Sequence, residues 1–234
     1  MPTSNVREYF DRHQKDLLDQ VLVLGSMVEQ AVQQAVAALI KRDLIESNRI
    51  YVNDGKINSQ RYHLESVAIG LIAQHQPMAR DLRFLAAVLE VITELERIGD
   101  YAKGISRINI LMGVEGNVTN TYNDLQFMAD RASSMLHRAL SAFITYDADL
   151  ARKIPLEDDE IDSTYNRVYN DLIQRVIIEP NFADQANYLI WAAHNLERMA
   201  DRVTNICERV IYVATGEMKE LDHSDDELIE RTYK

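Results

Sequence analysis

Apolar residues recur along this chain in alternating steps of four and three. One series runs Leu17, Val21, Leu24, Val28, Ala31, Ala35, Ala38; another runs Phe84, Val88, Val91, Leu95, Ile98, Ala102, Ile105. That spacing puts one residue per turn on a single face of an α-helix. Held over several turns, it describes long helices packed in a coiled-coil manner. The first helix is expected from about 5 to 41. Asp43 followed by Glu46 reads as a capping box that restarts the chain as a second helix. That helix carries Ile50, Ile57, Leu64, Ala68 and Leu71 inward, and it ends near Gln76-Pro77, where proline disfavours helix in the residue before it. A third helix begins around 78–81 and fades at Met112. The polar segment 113–121, with two glycines, reads as a linker.

The pattern then repeats. A fourth helix offers Leu125, Met128, Ala132, Met135, Ala139 and Ala142. Asp147 caps a fifth, which carries Ile161, Tyr165, Val168, Leu172 and Val176 and stops near Glu179-Pro180. A sixth runs through Leu189, Leu196, Met199, Val203 and Val210 to a C-cap at Gly216. Asp43 and Asp147 stand 104 positions apart, as do Ile57 and Ile161, while the third and sixth helices are offset by 101. The expected fold is all-α: two tandem up-and-down three-helix bundles related by internal duplication, over 1–113 and 121–216. A polar, acidic and partly disordered tail is expected over 217–234.

Composition agrees with helix throughout, with only eight glycines and four prolines in 234 residues. A formal net charge of −12 argues against direct nucleic-acid binding and suits cations or a basic partner. The single cysteine, Cys207, excludes a disulfide framework or a thiolate metal site and reads as a packing residue. The polar N-terminus carries no signal-peptide core, and the longest uncharged run, 66–79, is too short and polar to span a bilayer. A soluble, cytoplasmic protein is expected.

The chemistry concentrates in one repeated motif. Glu94-Leu95-Glu96-Arg97-Ile98-Gly99-Asp100 is echoed 101 positions later by Asn195-Leu196-Glu197-Arg198-Met199-Ala200-Asp201. Each copy sets a Glu and an Asp four apart, on one helix face, where like charges cost roughly 0.2–0.5 kcal/mol. Arg97 and Arg198, each three residues before its Asp, are one way to offset that cost; a bound cation is another. With the seam at heptad positions a and d, Glu96, Asp100, Glu197 and Asp201 fall at b and f, on the outer face of each bundle. Asn205 and Glu208 extend the second stripe, whereas Gly104 and Arg107 stand at the matching places in the first. Asp158 and Asp162 are again four apart, and Asp54 and Asn58 stand in register with them. Such oxygen donors suit Mg, Ca, Mn or oxo-bridged iron. Asp81 reads as a helix-dipole residue. No Glu-x-x-His pair occurs, which counts against a ferritin-like di-iron core, and no Gly-x-x-x-x-Gly-Lys loop marks a P-loop ATPase.

Gln76-Pro77 with Asp81-Leu82-Arg83, then 94–100, then Leu196-Glu197-Arg198 with Asp201 and Asn205-Ile206-Cys207-Glu208, resemble the PhoU family in order, spacing and twofold recurrence. The resemblance covers nearly the whole chain. It implies duplicated three-helix bundles and a cytoplasmic, non-enzymatic regulator of phosphate homeostasis. Implied partners are the ATPase subunit of a phosphate ABC transporter and a sensor histidine kinase kept repressed when phosphate is plentiful, with a homodimer as the expected assembly. It further implies iron or zinc bound through the Glu/Asp-x-x-x-Asp pairs, carried here to Glu96, Asp100, Glu197 and Asp201, and more loosely to Asp158, Asp162, Asp54 and Asn58. Asn58, standing where the second half has Asp162, marks the first half as the weaker site. Two alternatives stand beside this: an accessory protein of another type of phosphate transporter, and a metal-dependent hydrolase or oxidase.

Overall fold

The computed structural model describes residues 3–113 and 119–221. Among these, every regular element is helical. They are α1 (Thr3–Lys41), α2 (Leu44–His75), α3 (Arg80–Met112), α4 (Thr119–Thr145), α5 (Ala148–Lys153), α6 (Asp158–Ile178) and α7 (Ala183–Thr215), with 3₁₀ turns at Ile154–Glu157 and Pro180–Phe182. The expected linker falls mostly outside the described residues, as does the tail from 222 onward. The described start of that tail folds back: the Leu221 N–H donates to Glu208 Oε1 at 2.9 Å and its side chain packs against the core.

Helix starts follow the side chains that satisfy them. Asp43 Oδ1 accepts the Glu46 N–H at 2.9 Å, and Asp147 Oδ1 accepts those of Asp149 and Leu150. The first cap is only half a capping box, because Glu46 is taken by Arg49 in a bidentate pair at 2.6–2.8 Å. The helix expected to run unbroken from Asp147 is interrupted. Pro155 sits in a 3₁₀ turn, and its ring and missing N–H end α5 before α6 restarts at Asp158. The break places Asp158, Asp159 and Glu160 in the first turn of α6, where carboxylates favour the helix dipole.

The 4-3 stripes are buried as their spacing requires. Leu17, Val21, Leu24 and Val28 of α1, Val88, Val91, Leu95 and Ile98 of α3, and Leu189, Leu196, Val203 and Val210 of α7 are all closed to solvent. α1, α2 and α3 pack together, α4 to α7 pack together, and one apolar core runs through both halves. The halves meet along α3 and α7, which run antiparallel: Arg83 faces Gly216, Glu90 pairs with Arg209, Glu94 with Asn205, and Gly104 touches Asn195. α1 crosses α4 in the same sense, and so closely at Gly25 that a Cβ there would collide with Leu140 Cδ1. By length and composition α1 could cross a bilayer over Glu8–Lys41. Its apolar stripe is instead covered by α2, α3 and α4.

Candidate functional site

The two repeated motifs form two carboxylate clusters, one per half, each completed by the neighbouring helix. In the first half α2 supplies Asp54 and Asn58 and α3 supplies Glu96 and Asp100. Asp54 is buried, at 4% exposure. Its Oδ2 accepts from Lys103 Nζ at 2.7 Å and from Asn58 Nδ2 at 3.1 Å, while its Oδ1 is buried without a partner. Lys103 Nζ also stands 3.8 Å from Asp100 Oδ1, and its ammonium lies 5.6 Å from the Tyr51 ring centroid. Desolvation first, then Asp100, push the Glu96 carboxyl above its ordinary range; desolvation and then Asp54 do the same to Asp100, with Lys103 opposing. The bond to Asp54 holds Lys103 above the ordinary lysine value.

In the second half α6 brings Asp162 and α7 brings Asp201 to bear on Glu197, and Asp158 stands one turn before Asp162. Glu197 is strongly perturbed. Desolvation, then Asp201, then Asp162 push it up to about 7, against Arg198 and Arg202. Its side chain is only 24% exposed, although its heptad position placed it on an outer face. The heptad wheel describes one helix, and here α6 lies alongside α7. His194 Nδ1 approaches Glu197 Oε2 at 3.1 Å without hydrogen-bond geometry, and that oxygen is buried with no bonded partner. Burial, then Arg198, depress His194, so it favours the neutral form. The Tyr165 ring stacks obliquely 5.9 Å from His194, and burial together with Glu197 raises the Tyr165 phenol.

Several sequence expectations change here. Arg97 Nη1 pairs with Glu94 Oε1 at 2.6 Å, and Arg198 lies 5.0 Å over the Tyr101 ring. The i+3 partner of Asp100 is Lys103 instead. Asn205 does not extend the acidic stripe. A residue eight positions on is rotated by about 80° around a helix, and its Nδ2 donates to Glu94 Oε2 at 3.3 Å across the interface between halves. Glu208 lies about 16 Å along the axis from Glu197 at helical rise, held by Leu221 and Arg209.

Two residues of consequence carried no motif. Glu94, buried at 8%, binds Arg97 and Asn205 and lies 3.6 Å from Arg202 Nη1, which also reaches Asp201 at 3.9 Å. A glutamate flanking the apolar seam was the available signal. His194 was visible as His-x-x-Glu, the reverse of the order sought.

Among the described residues no three His, Cys, Asp or Glu side chains already converge on one point. Cys207 is fully buried, its thiol pushed up to about 12 by desolvation, and it is inert. A cleft of about 190 Å³ opens beside the first cluster, lined by Gln30, Gln34, Arg49, Asn53, Asp54 and Lys103 among others. An apolar groove of about 540 Å³ lies between α3 and α7, lined by Ile108, Leu111 and Trp191 together with His194.

The comparisons with known proteins now bear on this arrangement. The model of the PhoU domain matches the chain twice, over 21–108 and 125–210, once per half. The chain belongs to the PhoU family. Relatives named phosphate-specific transport system accessory protein PhoU homolog include one from Pseudomonas putida, 31% identical over 92% of this chain and 84% of the relative. Another, from Clostridium acetobutylicum, is 31% identical over 92% of this chain and 99% of the relative. The crystal structure of PhoU from Pseudomonas aeruginosa superposes with a TM-score of 0.84 at 31% identity, covering 89% of this chain and all of that one. That of the phosphate transport system regulatory protein PhoU from Streptococcus pneumoniae does so at 0.84 and 30% identity, over 91% of this chain and all of that one. These two PhoU structures share the helical fold over 89% and 91% of this chain.

Proposed function

We propose that this chain is a non-catalytic accessory regulator of a phosphate-specific transport system. It works in the cytoplasm as a homodimer that docks on the transporter's ATPase subunit and on a sensor histidine kinase. Docking restrains uptake and keeps the phosphate-starvation response repressed when phosphate is plentiful. The observation that carries this reading is the pair of PhoU-domain matches, one on each bundle, within a chain that spans most of the length of relatives named as accessory proteins of that system. A cleft beside the first carboxylate cluster and an apolar groove between α3 and α7 offer surfaces on which a partner can dock.

We further infer that the second-half cluster takes a metal ion through Glu197, Asp201, Asp158 and Asp162. The donor set fits. Glu197 is a half-buried carboxylate crowded by two others and pushed up to about 7, which a cation would relieve. The neutral imidazole of His194 beside it favours zinc or iron over magnesium or calcium, with manganese between. Because no three donors already converge, an ion must draw these side chains together. A bound metal supplies positive charge that neutralises the acidic face and so alters docking.

The test is complementation. Expressed in a Pseudomonas aeruginosa strain lacking its own PhoU, this chain is expected to restore repression of phosphate-starvation genes in high phosphate. Expression to the normal level without repression would sink the reading.

A further inference from the structure

We propose that the α3–α7 groove around Trp191 is where two copies of this chain meet, in a dimer whose two-fold axis crosses the groove. This rests on the homodimer reading above and names the surface that carries it.

The internal repeat supplies the first observation. An offset of 101 aligns α3 with α7, so Glu90 matches Trp191 and Ile108 matches Arg209. The two helices run antiparallel, with Gly104 against Asn195 and Glu94 bonded to Asn205. In that register Glu90 faces Arg209 at one end of the seam, and Ile108 faces Trp191 at the other. One arrangement therefore occurs twice, with different chemistry at each end. At the first end Arg209 Nη1 pairs with Glu90 Oε2 at 3.0 Å. There the chain past α7 also folds back, the Leu221 N–H bonding Glu208 while its side chain joins the core. At the second end Ile108, Leu111 and Trp191 line an apolar groove of about 540 Å³. Leu111 and Trp191 are each 52% exposed, and among the described residues no element covers them. A tryptophan half in water is a large apolar area left unburied, and tryptophans are enriched at the centres of protein interfaces.

The second observation is charge, and it selects the occupant. Arg107 lines the groove and is exposed. Asp184, also exposed, stands in the first turn of α7, two turns before Trp191 on the same helix face. Neither pairs with an opposite charge among the described residues. In the antiparallel register Arg107 is level with Ala192, so it lies about 12 Å along the groove from Asp184 at helical rise. Leu111 falls half-way between them. A surface with a cation at one end, an anion at the other and apolar side chains between is its own complement when turned through 180°. The axis passes beside Leu111. Arg107 of each copy then meets the partner's Asp184, and each Trp191 is covered by the apolar surface of the other copy. Two copies of formal net charge −12 repel at long range, so their contact needs such local pairing of opposite charges. An uncharged apolar occupant would leave Arg107 and Asp184 unanswered; a second copy answers both.

The experiment follows the full chain by sedimentation velocity through a dilution series, with circular dichroism to confirm folding. The parent is expected to sediment as a dimer. Trp191→Glu is expected to weaken dimerisation about 100-fold. Arg107→Asp and Asp184→Arg are each expected to weaken it about 10-fold, by setting like charges opposite one another, and the two together to restore it towards the parent. A folded Trp191→Glu that dimerises like the parent overturns this proposal and leaves the homodimer reading to another face. A parent that stays monomeric throughout the series overturns both. Should Trp191→Glu fail to fold, the charge exchange decides, because the proposal is equally overturned if the exchanged pair dimerises no better than either single variant.

Discussion

The two halves of this molecule make one carboxylate cluster twice and solve its electrostatics in two ways. In the first, Lys103 is drawn to 2.7 Å from the buried Asp54, and charge balance is covalent to the chain. In the second, Thr204 stands at that place, and burial first, then Asp201 and Asp162, push the Glu197 carboxyl up to about 7. The lesson concerns duplication. Helix packing tolerates either solution, because these side chains lie on a flank and not in the apolar seam.

Removing Lys103 is the strongest way to break that comparison. Lys103→Met leaves Asp54 as a buried carboxylate that accepts from Asn58, with Asp100 and Glu96 close by. Losing one partner of a buried pair costs about 3–5 kcal/mol; here Lys103 is partly exposed, and about 2–3 kcal/mol is expected from urea unfolding. Thr204→Val, at the matching position, removes only an unpartnered hydroxyl and should leave stability within about 0.5 kcal/mol of the parent. Equal losses for the two variants would end the claim that the halves differ.

A second break targets the link between halves. Glu94 gathers Arg97, Asn205 and Arg202 at the α3–α7 interface. Glu94→Ala takes an acceptor from Arg97, Asn205 and Arg202 at once and should cost about 1–3 kcal/mol. Its repeat partner Asn195 bonds only the Trp191 carbonyl within its own helix, so Asn195→Ala should cost about 1 kcal/mol or less. Denaturant midpoints of the two variants check the ordering.

The Glu197 proton sharpens the comparison through pH. Unfolded, Glu197 titrates near 4.5; folded, near about 7. Between these values the native state keeps a proton the unfolded state has released, so unfolding free energy falls as pH rises from about 4.5 to about 7. The contribution is fully present below that window and lost above it. With a quarter of the side chain in water, screening reduces it to about 1 kcal/mol. Stability curves at pH 5 and pH 8 should differ by that much more in the parent than in Glu197→Gln; identical differences would remove Glu197 as the origin.

How much of this was legible depends on what each signal encodes. The seven-residue rhythm encodes which face of a helix is apolar, and Leu17, Leu95 and Leu196 are buried as it required. The capping aspartates were legible because their chemistry is local. Pro155 was overlooked, although its missing N–H speaks as plainly as that of Pro77. Pairings between helices were not legible. Heptad phase placed Glu197 outside its own bundle and could not say that α6 would lie over it. Lys103 three residues after Asp100 was on the page, but its bond to Asp54 crosses 49 positions and two helices. Glu94 has an asparagine at its place in the second copy, and two of its partners, Asn205 and Arg202, come from the other half of the chain.

The smallest expected effect tests why the halves differ in spacing. Gly99 and Ala200 occupy the same repeat position. A Cβ on Gly99 would stand 3.1 Å from two carbons of Ile57, so the glycine lets α2 approach α3 closely beside Asp54 and Lys103. Ala200 is fully buried in the second half, so a methyl is packed at that place there. Gly99→Ala gains up to about 1 kcal/mol of helix propensity and gives back a similar amount by pushing on Ile57. The net change in stability should lie within about 0.5 kcal/mol of zero. A displaced α2 would instead lengthen the Asp54–Lys103 bond, and the Lys103 ammonium resonance reports that by NMR. If Gly99→Ala leaves that resonance unshifted while Gly99→Val moves it, close helix approach is what holds the built-in cation in place. If neither moves it, Lys103 is held by charge alone, and the glycine has no part in the difference between the halves.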